Sequence, residues 1–244
     1  MKKHVFLAAL LTIAAAAGVS AQNQLTAQEK KDGFKLLWDG KTTNGWRRAF
    51  SKDFPTHGWE IKNGVLTVLP SNGGEEGGGG DIVTVDRYSA FELRFEFKLT
   101  EGANSGVKYF VTEAENTGGK SAIGLEYQLL DDERHPDAKL GRNGDRTLSS
   151  LYDLIPRKNI PAAIKPIGEW NEGRIIVRPD NHVEHWLNGY KMVEYERGSA
   201  AYRQLVAISK YKDWKAFGEA KSGHILLQDH GNQVSFRNIR IKIL

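Results

Sequence analysis

The clearest feature of the chain is a strict alternation of apolar and charged residues over Phe91–Leu99. Every second residue of this segment is phenylalanine or leucine, and every residue between them is glutamate, arginine or lysine. Successive side chains of a β-strand point to opposite faces of the sheet. The pattern therefore predicts a strand that is buried on one face and hydrated on the other.

Shorter segments with the same period follow one another along the chain. Asn63-Gly64 and Asn188-Gly189 each separate two apolar runs and predict hairpin turns. Helical periodicity is weak, apart from a short stretch near 198–205. Many short strands without strand–helix alternation predict one all-β domain over 34–244, built as a sandwich of two antiparallel sheets. The other predicted strands are Gly58–Ile61, Val65–Leu69, Gly106–Thr112, Gly124–Leu130, Glu172–Arg178, His182–Leu187, Lys191–Tyr195, His224–Gln228 and Gln233–Leu244.

Residues 1–21 have the three parts of an export signal. Lys2 and Lys3 precede the uncharged apolar run Val5–Ala17, and Val19-Ser20-Ala21 is a small-x-small cleavage site. The apolar run is short for a membrane span. We expect a signal peptide at 1–21, a periplasmic or secreted mature protein without membrane insertion, and a flexible polar segment at 22–33.

Charge and cysteine content narrow the functional classes. The full chain carries a net charge of +4. Without the two lysines of the predicted signal peptide, 32 basic residues face 30 acidic ones, a net charge of +2. No run of lysine or arginine follows, so nucleic acid is not an expected partner. The absence of cysteine excludes disulfides and a thiol nucleophile.

The segment Gly124–Asp132 carries the most informative polar residues. As a strand, it places Glu126 and Gln128 on one face, and Leu125, Tyr127 and Leu129 on the other. A carboxylate next to an amide on a strand is held rigidly, as a catalytic base must be. The alternative interpretation is the solvated outer face of an ordinary strand.

The loop after this strand is dense in titratable groups, among them Asp131, Asp132, His135 and Lys139. Such a loop could bind a divalent cation or supply an acid–base pair. It lacks the ligand spacing of an EF-hand or a zincin, so an ordinary charged loop is the more common explanation, and the identity of any metal is open.

Two further strands contribute histidines. His182 and His185 lie three residues apart, so a strand sends them to opposite faces and they cannot both bind one ion. His185 is either a core histidine with a hydrogen-bond partner or a site residue at a sheet edge. Gln228 and His230 share a face at the end of the strand that begins at His224, where site residues often project.

The sequence resembles a known family, the 3-keto-disaccharide hydrolases, in nine ordered blocks that run from Phe34 to the C-terminus. The resemblance implies a concanavalin-like jelly-roll sandwich and an enzyme that cleaves sugars oxidised to a ketone at carbon 3. The blocks are Phe34–Trp46, Trp59–Leu66, Gly80–Thr84 with Phe91–Leu99, Asn104–Val107, Gly124–Asp132 with His135–Lys139, Leu151–Asp153, Lys165–Asn171, Glu184–Gly189, and Gly223–Gly231 with Phe236–Arg240.

The substrate that the resemblance implies suggests a mechanism. A 3-keto group acidifies the proton on C2, so a base can remove it and the aglycone leaves from C1, after which water adds. Glu126 or His135 is the expected base. Lys139, His185 or a divalent cation is expected to stabilise the enolate. The residues expected to bind the sugar are Gln128, Asp131, Asp132, Gln228 and His230.

Two other functions fit the same fold. An ordinary glycanase would use two carboxylates across the scissile bond, although Gln128 stands where a second acid of the strand would be. A lectin-like module would bind carbohydrate through exposed aromatic residues without turnover. The candidate tryptophans for that function are Trp46, Trp59, Trp170, Trp186 and Trp214.

Overall fold

The computed structural model describes residues 22–71, 78–113 and 122–244, so the predicted signal peptide lies outside the described residues. The fold prediction is confirmed: the described chain consists mostly of strands in two antiparallel sheets. The helical elements are α1 (Ala27–Lys31), α2 (Ala200–Ala207) and two 3₁₀ turns at Pro136–Lys139 and Pro161–Ala163. Within the described ranges, no helix is long and apolar enough to cross a membrane.

The thirteen strands of the described residues divide into a sheet of eight and a sheet of five. The larger sheet has the order β11-β10-β9-β6-β13-β4-β3, with β1 paired to β13, and the smaller one has the order β2-β5-β12-β7-β8. The strands are β1 (Lys35–Leu36), β2 (Trp46–Arg48), β3 (Trp59–Lys62), β4 (Val65–Val68), β5 (Ile82–Thr84), β6 (Phe91–Leu99), β7 (Asn104–Thr112), β8 (Ile123–Leu130), β9 (Asn171–Val177), β10 (His182–Leu187), β11 (Tyr190–Glu196), β12 (His224–Leu227) and β13 (Val234–Ile243).

The alternation over Phe91–Leu99 produces the expected one-sided strand. The phenylalanine and leucine side chains of β6 are buried in the core between the sheets, whereas Arg94, Glu96 and Lys98 are partly exposed. The ring of Phe95 meets the ring of Tyr127 from the smaller sheet edge to face, with centroids 5.5 Å apart. Aromatic pairs in this geometry stabilise a core beyond their buried area, so β6 and β8 hold the two sheets together.

Both predicted hairpin turns are present. Asn63 and Gly64 connect β3 to β4 with φ angles of 51° and 72°, and Asn188 and Gly189 connect β10 to β11 with 50° and 85°. These are the positive φ angles that a type I′ turn requires. The very short strands β1, β2 and β5 were not predicted, because two or three residues cannot display an alternation.

One irregularity in the smaller sheet affects the cleft. Phe110 has a φ of 53°, and the pairing of β7 with β8 shifts register between Tyr109 and Thr112. Tyr109 and Phe110 both pack in the core, as a β-bulge permits. Lys108 and Val111 therefore both lie on the outer face of β7, although they are three positions apart in the sequence.

The polar segment at 22–33 differs from the flexible tail that its composition suggests. Thr26 and Glu29 form a reciprocal capping box at the start of α1. Glu29 also pairs with Arg240 of β13, and Asn23 hydrogen-bonds Asn238 of the same strand. The polar residues of this segment are thus capping and pairing partners that attach it to the last strand.

Candidate functional site

A cleft of about 1080 Å³ lies on the outer face of the five-stranded sheet, opposite the core. Its floor consists of outward side chains from β7 and β8 and from the residues that flank β5 and β12. Its walls come from three segments near residues 48–51, 135–140 and 210–211. A cleft of this size accommodates a ligand as large as a disaccharide.

The register of β7 and β8 places a lysine beside the predicted carboxylate. Lys108 is the cross-strand partner of Glu126, and Gly106 is the partner of Gln128. Directly opposed residues on antiparallel strands point to the same face, so these side chains share the cleft floor. Tyr127, between the two polar residues of β8, is fully buried in the core. The predicted division of the two faces of β8 is therefore present.

Glu126 lies over a glycine. A Cβ atom at Gly106 would stand 2.2 Å from Glu126 Oε1, a separation that real atoms do not reach. With its amide nitrogen turned toward its acceptors, Gln128 donates to Glu126 Oε1 at 3.3 Å and to the Ser105 carbonyl at 3.1 Å. The missing side chain at Gly106 and the amide of Gln128 together fix the position of the carboxylate.

Glu126 is 6% exposed, and this burial raises the pKa of its carboxyl group above the ordinary value. The positive charges of Lys108 and Lys210 oppose that rise, whereas the nearby Asp81 adds to it. Desolvation and nearby cations have opposite effects on a carboxylic acid. Burial thus makes the Glu126 carboxylate a stronger base than that of an exposed glutamate.

Lys210 reaches the cleft from the segment after α2. Its Nζ lies 4.4 Å from the centre of the Tyr152 ring, and its backbone N–H donates to Asp153 Oδ2 at 2.6 Å. Partial desolvation lowers the pKa of Lys210, whereas Glu126 raises it. The second cation beside Glu126 is thus positioned by an aromatic ring and a buried carboxylate.

The wall next to Lys210 contains a fixed acid. Asp137 accepts hydrogen bonds from Arg146 Nη1 at 2.9 Å and from the Tyr152 hydroxyl at 2.8 Å. The Asp137 backbone N–H donates to His135 Nδ1 at 3.2 Å, because His135 is the N-cap of the 3₁₀ turn. These bonds hold the His135 ring at the cleft, 6.1 Å from the ring of His230.

Gln228 offers a hydrogen-bond acceptor to a ligand in the cleft. Its Oε1 is buried, lines the cleft region and has no hydrogen-bond partner among the described residues. Buried acceptors are almost always paired in native proteins. The hydroxyl group of a sugar is a donor of the required kind. Nearby, the Asn104 amide contacts His230 Nε2 at 3.2 Å.

The structure therefore brings together five of the nine predicted site residues. The residues at the cleft are Glu126, Gln128, His135, Gln228 and His230.

The structure does not bring His185 to the cleft, and this corrects the expectation that it takes part in the chemistry. Its side chain is fully buried on the core side of the larger sheet. Its Nε2 lies 2.8 Å from the Tyr109 hydroxyl, and its Nδ1 lies 3.3 Å from the Ser149 carbonyl. The alternation of β10 points it inward with Val183 and Leu187, as the core alternative required.

Three loop residues also lie away from the cleft lining. Asp131 is buried and accepts from the backbone N–H of Gly102 at 2.8 Å. Asp132 binds the Leu148 N–H and the Arg157 guanidinium, and Lys139 is exposed. The two carboxylates are used to shape the loop, which corrects the expectation that these residues bind substrate or stabilise an enolate.

We expect His185→Phe to reduce stability and leave kcat/KM unchanged. Removing its two hydrogen bonds should cost about 1–3 kcal/mol. Burial lowers the pKa of His185 to about 4, whereas in the unfolded chain it is about 6.5. The unfolded chain therefore binds the extra proton first, and stability should fall as the pH drops from 6.5 toward 4. Urea unfolding across this range should show a shallower fall in the variant. A large loss of kcat in the folded variant would contradict the structural role.

Sequence reasoning missed several cleft residues, among them Lys108, Asp81 and Lys210. Lys108 had a usable signal, since it is the single charged residue of the strand Asn104–Thr112 and shares the outer face with Gly106. Asp81 immediately precedes β5, which is too short to be predicted. Lys210 gave no signal, because its position depends on the path of a long loop.

The divalent cation that the sequence suggested stays a prediction. In the described part of the chain, His182, Glu184 and Glu194 bring possible ligand atoms within 4.8 Å of one another. This group lies on β10 and β11, away from the cleft lining, and its carboxylates already pair with Arg178 and Lys191. The loop carboxylates discussed above also have protein partners.

The fold and the cleft define a class: jelly-roll sandwiches, which include lectin domains, with titratable and amide side chains gathered on the outer face of one sheet. The chain belongs to the family described as the 3-keto-alpha-glucoside-1,2-lyase-like domain, which matches residues 33–242.

Individual relatives agree with this assignment. A protein of Bacteroides thetaiotaomicron named 3-keto-disaccharide hydrolase is 39% identical over 233 residues, which cover 87% of this chain and 79% of the relative. A crystal structure from Parabacteroides distasonis, provisionally described as a glycosyl hydrolase, has a TM-score of 0.78 at 31% identity and covers 92% of this chain and 100% of that one. A second structure from the same organism, with the same description, has a TM-score of 0.58 at 28% identity, covering 82% and 100%.

Proposed function

We propose that this protein cleaves the glycosidic bond of 3-keto-disaccharides and related 3-keto-glycosides. The observation that carries the proposal is a single one: the Glu126 carboxylate is held over Gly106 in a sugar-sized cleft, with Lys108 and Lys210 beside it. A base flanked by cations suits a reaction that removes a proton next to a ketone. The family and its named relative support the same substrate class.

The reaction proceeds by elimination followed by hydration. The ketone at C3 makes the proton on C2 acidic, and its removal gives an enolate. The enolate expels the aglycone from C1 and leaves a C1–C2 double bond. Water then adds its oxygen to C1 and a proton to C2, so the net result is hydrolysis. This sequence accounts for both the lyase in the family description and the hydrolase in the relative's name.

Glu126 is the base that removes the C2 proton. Its elevated pKa makes it a stronger proton acceptor than an exposed glutamate, and the adjacent lysines favour its charged form. The ammonium groups of Lys108 and Lys210 stabilise the oxygen at C3 as it gains negative charge. The two lysines have the role in stabilising the enolate that the sequence suggested for Lys139 and His185. Preorganised charges of this kind act strongly in a site that excludes water.

The amides of the floor orient the sugar. Gln228 presents its unpartnered Oε1 to a hydroxyl group, and Gln128 lies beside the base. His230 and His135 border the same space from two different segments. Together these groups place C2 of the sugar over the carboxylate, and this positioning is a large part of the expected rate enhancement.

The purified protein should release glucose from a 3-keto-disaccharide and leave the unoxidised parent disaccharide intact. In D₂O, the released 3-keto sugar should carry deuterium at C2 beyond the level of a control without enzyme, because the proton is removed and replaced there. The products are measured by NMR, with and without a chelator. Loss of activity with the chelator would establish the predicted cation.

Two other results would contradict the proposal. Equal cleavage of the unoxidised disaccharide would favour an ordinary two-carboxylate glycanase, for which Asp81 could be the second acid. Binding of the keto sugar without any turnover would favour a carbohydrate-binding module.

A further inference from the structure

A second carboxyl group faces the cleft, on the side of the cleft floor opposite to Glu126. Asp81, immediately before β5, is a cleft residue whose side chain is 17% exposed. Its Oδ1 accepts a hydrogen bond from the Asp229 backbone N–H at 2.9 Å. Its Oδ2 lies 3.9 Å from Lys108 Nζ, beyond hydrogen-bonding distance. One oxygen is therefore fixed by the protein, and the other is free to contact a ligand.

The strand order places the two acids on opposite sides of Lys108. Glu126 is on β8, and Asp81 adjoins β5, with β7 and β12 between them. Three spacings of about 4.8 Å separate the backbones of these strands by about 14 Å. Asp81 Oδ2 lies 3.9 Å from Lys108 Nζ, and the Glu126 carboxylate lies over Gly106 of the same strand as that lysine. The two acids therefore border one part of the cleft floor from opposite sides.

The two acids have different electrostatic surroundings. Lys108 and Lys210 both favour the charged form of Glu126. Burial raises the pKa of Asp81, and the neighbouring Asp229 carboxylate raises it further, whereas Lys108 lowers it. When two acids share a site, the proton resides on the one whose surroundings disfavour charge most. The charge of Asp81 disfavours the charged form of Glu126 in this shared site, so one of the two buried acids can hold a proton while the other is ionised.

Resting on the proposed function, we infer that Asp81 is the general acid that protonates the leaving oxygen. Glu126 takes the proton from C2, and the C–H electron pair forms the C1–C2 double bond. The electron pair of the C1–O bond goes to the leaving oxygen, which takes the proton of Asp81 and departs as a neutral alcohol. Hydration reverses both transfers: Asp81 removes a proton from the water that attacks C1, and Glu126 returns its proton to C2. Both acids regain their starting states.

The test compares two leaving groups in Asp81→Asn. A second sugar is a poor leaving group that needs a proton, whereas a nitrophenol leaves readily as an anion. We expect kcat/KM of the variant to fall on the order of 10²–10³-fold for a 3-keto-disaccharide and less than about tenfold for a 3-keto nitrophenyl glucoside. The asparagine can still accept from the Asp229 N–H, so the floor should keep its shape. Similar losses on the two substrates, or no loss on either, would overturn the inference.

If Asp81→Asn does not fold, a second variant tests the same role of Asp81. Asp81→Ala leaves room for a small carboxylic acid, and formate should restore part of the activity on the disaccharide but not raise the activity on the nitrophenyl substrate. Absence of any such rescue in folded protein would count against a proton-donating role. The wild-type protein separates the two ideas: its cleavage of both keto substrates tests the proposed function, and only the variant ratios test Asp81.

Discussion

Replacing Glu126 with glutamine lowers kcat/KM on a 3-keto-disaccharide by an expected 10²–10⁴-fold, the range that positioned proton transfer typically contributes. Glutamine has nearly the same shape and fits over Gly106, but its amide cannot accept the C2 proton. The loss should fall mainly on kcat, since the cleft still binds the sugar. Steady-state kinetics together with circular dichroism measure activity and folding on the same preparation.

The matched control for this variant is Glu133→Gln. Glu133 follows the same strand by a few residues, but its side chain is 85% exposed in the loop beyond β8. The control removes the same negative charge from the chain without touching the cleft floor, so its kinetics should equal those of the wild type. A folded Glu126→Gln protein with nearly full activity would remove Glu126 from the role of base.

Replacing Gly106 with alanine should reduce kcat/KM by about 10²-fold, because a misplacement of a catalytic group by about 1 Å can cost that much. The new methyl group would occupy the position 2.2 Å from Glu126 Oε1. The backbone of Gly106 is extended and tolerates alanine. The carboxylate is the flexible end of its side chain and moves aside, so the fold survives while the base is displaced.

A double-mutant cycle separates this effect from general damage. If the alanine acts only through the carboxylate, it should add little to the loss already caused by Glu126→Gln, because coupled residues are not additive. Independent losses that multiply in the double variant would show that Gly106 affects the site in another way. Thermal unfolding of all three variants checks that the sheet remains intact.

The architecture was predictable because its signals are local. The period-two alternation of β6 and the Asn-Gly pairs each determine a face or a turn within a few residues. Several such local signals, one after another along the chain, together specify a β-sandwich. Strands of two or three residues, such as β2 and β5, are defined by their neighbours in the sheet, and no pattern within them could predict their pairing.

The site was predictable in part for the same reason. Glu126 and Gln128 alternate with core residues on one strand, so their shared face follows from the sequence. Alternation identifies the core face of a strand, but it does not show whether a titratable residue on that face has a structural or a catalytic role. His185 shows this, because its strand turns the histidine inward against Tyr109. No periodic pattern could predict the position of Lys210, since an irregular loop brings this residue to Glu126.

The cleft combines a floor made of sheet with walls made of loops. The floor strands β7 and β8 also contribute core residues such as Tyr127. A substitution that destabilises these strands therefore destabilises the whole sandwich. The wall at 136–139 contains no buried residue, whereas Tyr211 of the other wall packs in the core. Relatives that accept different aglycones should therefore differ in the length and composition of the segment at 135–140, where new specificities can arise without loss of thermal stability.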